Sequence, residues 1–184
     1  LTAAVTGTIP DRINRGQENV PVFMMTLTND GGSSGADISV SRLELGMLGE
    51  GGVPADPGGA IRRFYLRDQS GYTFFATGDF GDSGSIECVF NPGLIISPGI
   101  PLVLHASIDA SFEPAGSLIG FILEDSLGIS ARDINSGASV SVTADTDEGF
   151  SFPMVTDMAC FMDPLGGISV AASGLLPAGV MESD

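Results

Sequence analysis

VPVFMMTLTNDGGSSGADISVSRLEL, residues 20–45, decides the fold. Val20, Val22, Met24, Thr26 and Thr28 alternate with Phe23, Met25 and Leu27; NDGGSSG interrupts, and Ile38, Val40, Leu43 and Leu45 resume the apolar series. A period of two is that of a strand with one buried face, and a Gly- and Ser-rich break between two such runs is a turn. The stretch predicts two strands joined by a loop. Upstream, LTAAVTGTI (residues 1–9) repeats the pattern, with Leu1, Ala3, Val5 and Ile9 set against Thr2, Thr6 and Thr8. Downstream, strands are expected in IRRFYLRD (61–68), YTFFATGD (72–79), SIECVF (85–90), PLVLHASIDA (101–110), SLIGFILED (117–125), ASVSVTAD (138–145) and GISVAASGLL (167–176). Gly, Pro, Asp and Asn punctuate them. About ten short strands follow from this reading.

A helical period is weak everywhere except in FPMVTDMACFMDP (152–164), where Met154, Met158 and Met162 recur every four residues. One or two helical turns are expected there. The expected fold is an all-β sandwich, immunoglobulin-like or jelly-roll, with little helix, and 184 residues suit a single domain spanning 1–184.

Composition narrows the function classes. The chain carries 23 acidic residues against seven arginines and no lysine, a formal charge of −16. Neutralising phosphate backbones or anionic lipid needs clustered cations, so neither nucleic acid nor an anionic membrane surface is an expected partner. With 43% of residues hydrophobic, a packed core is still expected beneath this charge. No apolar run reaches the roughly 18 residues of a membrane span. The chain opens on a strand-like segment without the basic start and apolar run of a signal peptide, which fits an exported protein whose leader has been removed.

The run GQENVPVFMMTLTNDGGSSGADISVSRLEL, with PLVLHASIDASFEPAGSLIGFILED and SVSVTAD, resembles the immunoglobulin-like sandwich modules of prokaryotic surface and extracellular filament proteins. The likeness covers about two thirds of the chain and is one of pattern. It implies the sandwich fold and a location outside the cell or on its surface, and carries over no site residues.

Candidate chemistry is sparse. Cys88 and Cys160 are an even pair that a disulfide could join, or two buried thiols. Acidic loops gather Asp79 and Asp82, Asp109 and Glu113, and Asp145, Asp147 and Glu148; flexible loop carboxylates are calcium ligands when enough converge, and solvated turn acids when they do not. The methionines with Cys160 could form a thioether copper site, but no histidine lies near, and Met is more simply core filler. Gly31, Ser33 and Gly35 match a nucleophile elbow with His105 as its base, yet a strand pattern follows where the elbow needs a helix. His105 alternates with Leu104 and Ala106 and should face away from the core. With no Trp and two Tyr, sugar platforms are few.

These readings favour a non-enzymatic structural subunit that joins copies of itself into a filament or surface layer and requires no cofactor. The segment 1–10 is its candidate donor strand: an extended segment about 30 Å long can be lent to a neighbour's sheet, or it can be the first strand of its own sandwich. A calcium-stabilised surface adhesion module is the alternative.

Overall fold

The computed structural model describes residues 1–32, 35–80 and 84–163. Along the chain run β1 (Thr2–Gly7), β2 (Arg12–Asn14), β3 (Val20–Thr28), β4 (Ile38–Leu48), a one-turn helix at Pro57–Ala60, β5 (Ile61–Arg67), β6 (Thr73–Thr77) and β7 (Ser85–Ile96). β8 (Leu102–Ala110), β9 (Leu118–Leu123), β10 (Ile129–Asp133), β11 (Ser139–Val140), β12 (Thr143–Ala144), β13 (Met154–Val155) and β14 (Ala159–Met162) follow. The expected strand at 167–176 lies outside the described residues, as do Ser33 and Asp82.

The strands form two sheets. The first has the order β12-β1-β3-β8-β5-β6; the second runs β11-β10-β4-β9-β14-β2, with β7 on the other edge of β4 and β13 also paired to β9. The fold is all-β and sandwich-like, as the alternating patterns predict. Between the sheets Phe23 of β3, Phe64 of β5 and Phe121 of β9 form a triangle with ring centroids 6.0–6.3 Å apart. All three are almost wholly buried. Tilted aromatic pairs at this spacing add attraction beyond the area they bury, so the triangle ties one sheet to the other.

β3 shows how local irregularity alters a simple alternation. Val20 and Val22 face inward, but so do Phe23, Met25 and Leu27, because the register to β8 shifts between Pro21 and Phe23. One extra residue in a strand exchanges its two faces. Met24, Thr26 and Thr28, expected on the face of Val20 and Val22, therefore lie on the other side.

Two expectations need correction. Residues 152–163 form no helical turn: β13 and β14 both pair with β9, and Thr156 between them donates its backbone N–H to Phe121 O at 3.0 Å and accepts from Phe121 N–H at 2.9 Å. The backbone groups of β9 find partners this way, which the methionine spacing could not foresee. The single run 138–145 is likewise two strands, because β11 closes the second sheet and β12 the first. Its middle residues carry the chain from one layer to the other.

Candidate functional site

The N-terminal strand occupies a slot in its own sheet. β1 is antiparallel to β3 along its whole length, from Thr2 opposite Thr28 to Gly7 opposite Phe23. Its other edge meets β12 in parallel at Thr2 and Ala3. Leu1 O accepts from Thr143 N–H at 3.0 Å and Ala3 O from Asp145 N–H at 2.9 Å, while Thr8 N–H donates to Val22 O at 3.1 Å. Ala3 and Ile9 are buried, and Leu1 and Val5 pack half-buried against the core. The strand considered for loan is thus held by its own chain in this structure. Residues 8–11 lead from it to β2, crossing from the first sheet to the second.

On the outer face of the first sheet, pairing of β5 with β8 sets Arg63 opposite Asp109, Tyr65 opposite Ser107 and Arg67 opposite His105. Asp109, 6% exposed, accepts from Tyr65 Oη at 2.8 Å and from Asn19 N–H at 2.9 Å. Arg67 lies 4.2 Å above the Tyr65 ring and donates from Nη1 to Ser107 Oγ at 2.9 Å and to Asn19 Oδ1 at 3.1 Å. Tyr65, then the Asp109 and Glu18 carboxylates, hold the Arg63 guanidinium above the ordinary arginine pKa. His105 faces outward as expected, with its Nε2 buried and without a hydrogen bond.

Ser107 is thus engaged with an arginine rather than with His105, so this row binds strands together and aligns no nucleophile with a base. The sequence places Asp109 in an acidic loop; the structure corrects this, setting it within β8. Each half of the row is visible in the sequence as polar residues two apart. Nothing local shows that segments about forty residues apart pair in that register.

Among the described residues, the remaining candidates do not converge. Asp145, Asp147 and Glu148 follow β12, where the Asp145 carboxylate accepts from Glu148 N–H at 3.3 Å and so supports the turn. Asp79 follows β6 in another loop, its backbone bonded to Thr77 Oγ1. Among the described residues, no three His, Cys, Asp or Glu side chains gather as a metal site. Cys88 on β7 and Cys160 on β14 are free thiols. β4 and β9 stand between their strands, a separation of about 14 Å at the usual strand spacing and twice what a disulfide spans. Of the two readings left open for this pair, the structure holds the free thiols. Burial raises the Cys88 thiol pKa far above its ordinary value, leaving an inert core residue.

No protein-family model matches the chain, and no curated protein matches it. Among solved structures it is similar to AvmM, which catalyses macrocyclisation in alchivemycin A biosynthesis, at 12% identity over 91% of this chain and 90% of that one, with a TM-score of 0.43. It is similar also to the CssB subunit of the colonization factor CS6 of enterotoxigenic Escherichia coli, complemented with a donor strand from CssA. There the identity is 10%, the coverage 88% and 97%, and the TM-score 0.34. A family 123 glycoside hydrolase from Clostridium perfringens matches at 11% identity and a TM-score of 0.36, over 88% of this chain but 27% of that one. No residue role passes from these proteins to this chain.

Proposed function

We propose that this chain is a non-enzymatic structural subunit that assembles with copies of itself, outside the cell or on its surface, by exchanging its N-terminal strand. One observation carries the reading: β1 satisfies the edge of β3 over six residues and is tethered to β2 by the short linker 8–11. A neighbour's β1 can make the same contacts. A strand withdrawn without replacement forfeits about 0.5–1.5 kcal/mol for each backbone hydrogen bond, and exchange restores them all. When each subunit gives its strand to the next and receives one from the last, the contact is head-to-tail and the chain of subunits does not close. The net negative charge keeps such an assembly apart from nucleic acid, and the resemblance to surface modules supports its location.

The test compares the intact protein with a version lacking residues 1–10, by negative-stain microscopy and light scattering. The intact chain should form filaments, and the truncated one should remain dispersed and bind a synthetic peptide of residues 1–10. An intact protein that stays monomeric at high concentration refutes the reading.

A further inference from the structure

The outer face of the second sheet holds a cleft of about 640 Å³ with which strand exchange has no concern. Its size is that of a small-molecule site. Gly46 of β4 is part of its floor, and a Cβ there would lie 2.7 Å from Ile122 Cγ2, so the close approach of β4 and β9 keeps this position bare. Leu127, in the turn after β9, forms an apolar wall and is 79% exposed. A leucine left so open beside a cavity offers surface that a ligand can cover.

The charges around this apolar floor are unequal. Among the described residues, one arginine, Arg42, and three carboxylates, Glu44, Glu124 and Asp125, line the cleft. Arg42 is already committed: Nη2 donates to Glu44 at 2.5 Å and Nε to Glu87. Ser85 Oγ donates to Glu44 at 3.0 Å, fixing that carboxylate from a second side. Asp125 uses Oδ1 to accept from Leu127 N–H at 2.8 Å, which orients its other oxygen. The cleft presents net negative charge above an alkyl-lined floor, which repels anions. It is also far larger than an inorganic ion, for which no three ligands converge among the described residues.

We propose that this cleft binds an organic cation with an alkyl body, its ammonium held by Glu124 and Asp125 and its chain lying against Leu127 and Ile122. Both halves of the ligand have a counterpart. The carboxylates supply charge-assisted hydrogen bonds, and the alkyl chain covers the exposed leucine. A free amine and the lysine side chain of another protein share this chemistry; this chain, lacking lysine, cannot supply the latter itself.

Calorimetry on the full-length protein with hexylammonium tests the proposal, with hexan-1-ol as its uncharged counterpart and N-acetyl-lysinamide as the side-chain form. Hexylammonium should bind and hexan-1-ol should bind at least tenfold more weakly. The exposed pair Glu124→Gln/Asp125→Asn should weaken hexylammonium about tenfold or more, the loss expected for charged hydrogen bonds. Leu127→Ser should weaken it several-fold. Asp147→Asn/Glu148→Gln, in a different loop, should change nothing. Binding of N-acetyl-lysinamide as tight as that of hexylammonium assigns the site to a partner's lysine; much weaker binding assigns it to a free amine. Equal binding of the alcohol and the amine overturns the proposal, as does an equal loss from the remote pair, which would reveal diffuse counterion attraction. Since every variant retains residues 1–10, none of these results depends on strand exchange.

Discussion

The two sheets solve the same problem differently. In the first, five strands of five to nine residues pair in turn, with register shifts in the β3–β8, β5–β8 and β5–β6 ladders, and its outer face is tied across β5 and β8 by the row from Arg63 to His105. In the second, β4 serves three neighbours: β7 along one edge, and β10 then β9 along the other. Its flank is built from pieces of two to four residues, β11, β13, β14 and β2. Short strands offer few ladder bonds, so this sheet depends more on what its side chains and bulges pack against. Side chains paired across β5 and β8 give the first sheet a tied outer face, and the close approach of β4 and β9 at Gly46 gives the second its cleft.

The largest expected effect falls where the sheets meet. Phe121 is the second sheet's member of the aromatic triangle, 1% exposed. Phe121→Ala removes the ring from both Phe23 and Phe64 and leaves a cavity, at a cost of about 3–5 kcal/mol. Denaturant unfolding should show one cooperative transition at lower midpoint. Two separated transitions would mean that the sheets are stable apart, and the comparison would become one between independent units.

A smaller effect probes the largest bulge of the second sheet. Between the pairs Val40 with Leu94 and Arg42 with Val89, β7 inserts Phe90, Asn91, Pro92 and Gly93 opposite Ser41. The excursion has a use: Phe90 reaches Phe75 of β6 with ring centroids 6.3 Å apart, joining the two sheets on this side. Gly93 returns the chain to β4 so closely that a Cβ would stand 2.2 Å from Ser39 Oγ and 3.0 Å from Val40 O. Gly93→Ala should destabilise by about 1–3 kcal/mol through overpacking. Ser39→Ala in the same chain should recover part of that loss, because it removes the nearer atom. An unchanged unfolding midpoint in Gly93→Ala would show that β7 yields easily at the bulge.

This contrast also explains what could be read beforehand. Alternation revealed β1, β3, β4 and β8, whose length gives period two room to declare itself, and with them the all-β class. It misassigned the faces of β3 beyond Val22, because a bulge leaves no mark in an apolar run such as VPVFMM. SIECVF was legible as a strand, but NPG reads as its end, while in space it is an excursion in a strand that continues to Ile96. The methionine spacing at 154, 158 and 162 carried no helix, since the demand of β9 for backbone partners outweighed a local period. As for the sites, the opening strand was visible and its partner was not. The cleft was invisible, because Glu44 and Glu124 meet only after β4 and β9 pair.

The smallest expected effect tests whether the contrast extends to the turns. Asp68, between β5 and β6, accepts from Ser70 Oγ at 2.6 Å and from the backbone N–H groups of Ser70 and Tyr72. Asp133, at the turn from β10 to β11, accepts from Ser136 N–H at 2.8 Å. These bonds hold both carboxylates below their ordinary pKa of 3.8, chiefly through the Ser70 hydroxyl for Asp68 and the Ser136 backbone for Asp133. A depressed folded-state pKa means that the unfolded chain binds the proton first as acidity rises. The stabilisation is therefore complete above the ordinary value and is lost as pH falls through the lowered one. Both residues are only half-buried, at the surface, so solvent screens the effect and the proper readout is the carboxyl resonance itself, with Asp68→Asn and Asp133→Asn assigning the signals. Midpoints below 3.8 for both would show that the turns of the two sheets use one device, confining the difference between them to their strands. A depressed Asp68 beside an ordinary Asp133 would carry the irregularity of the second sheet into its turns, because a β11 only two residues long would then be too weakly paired to hold the Ser136 donor in place.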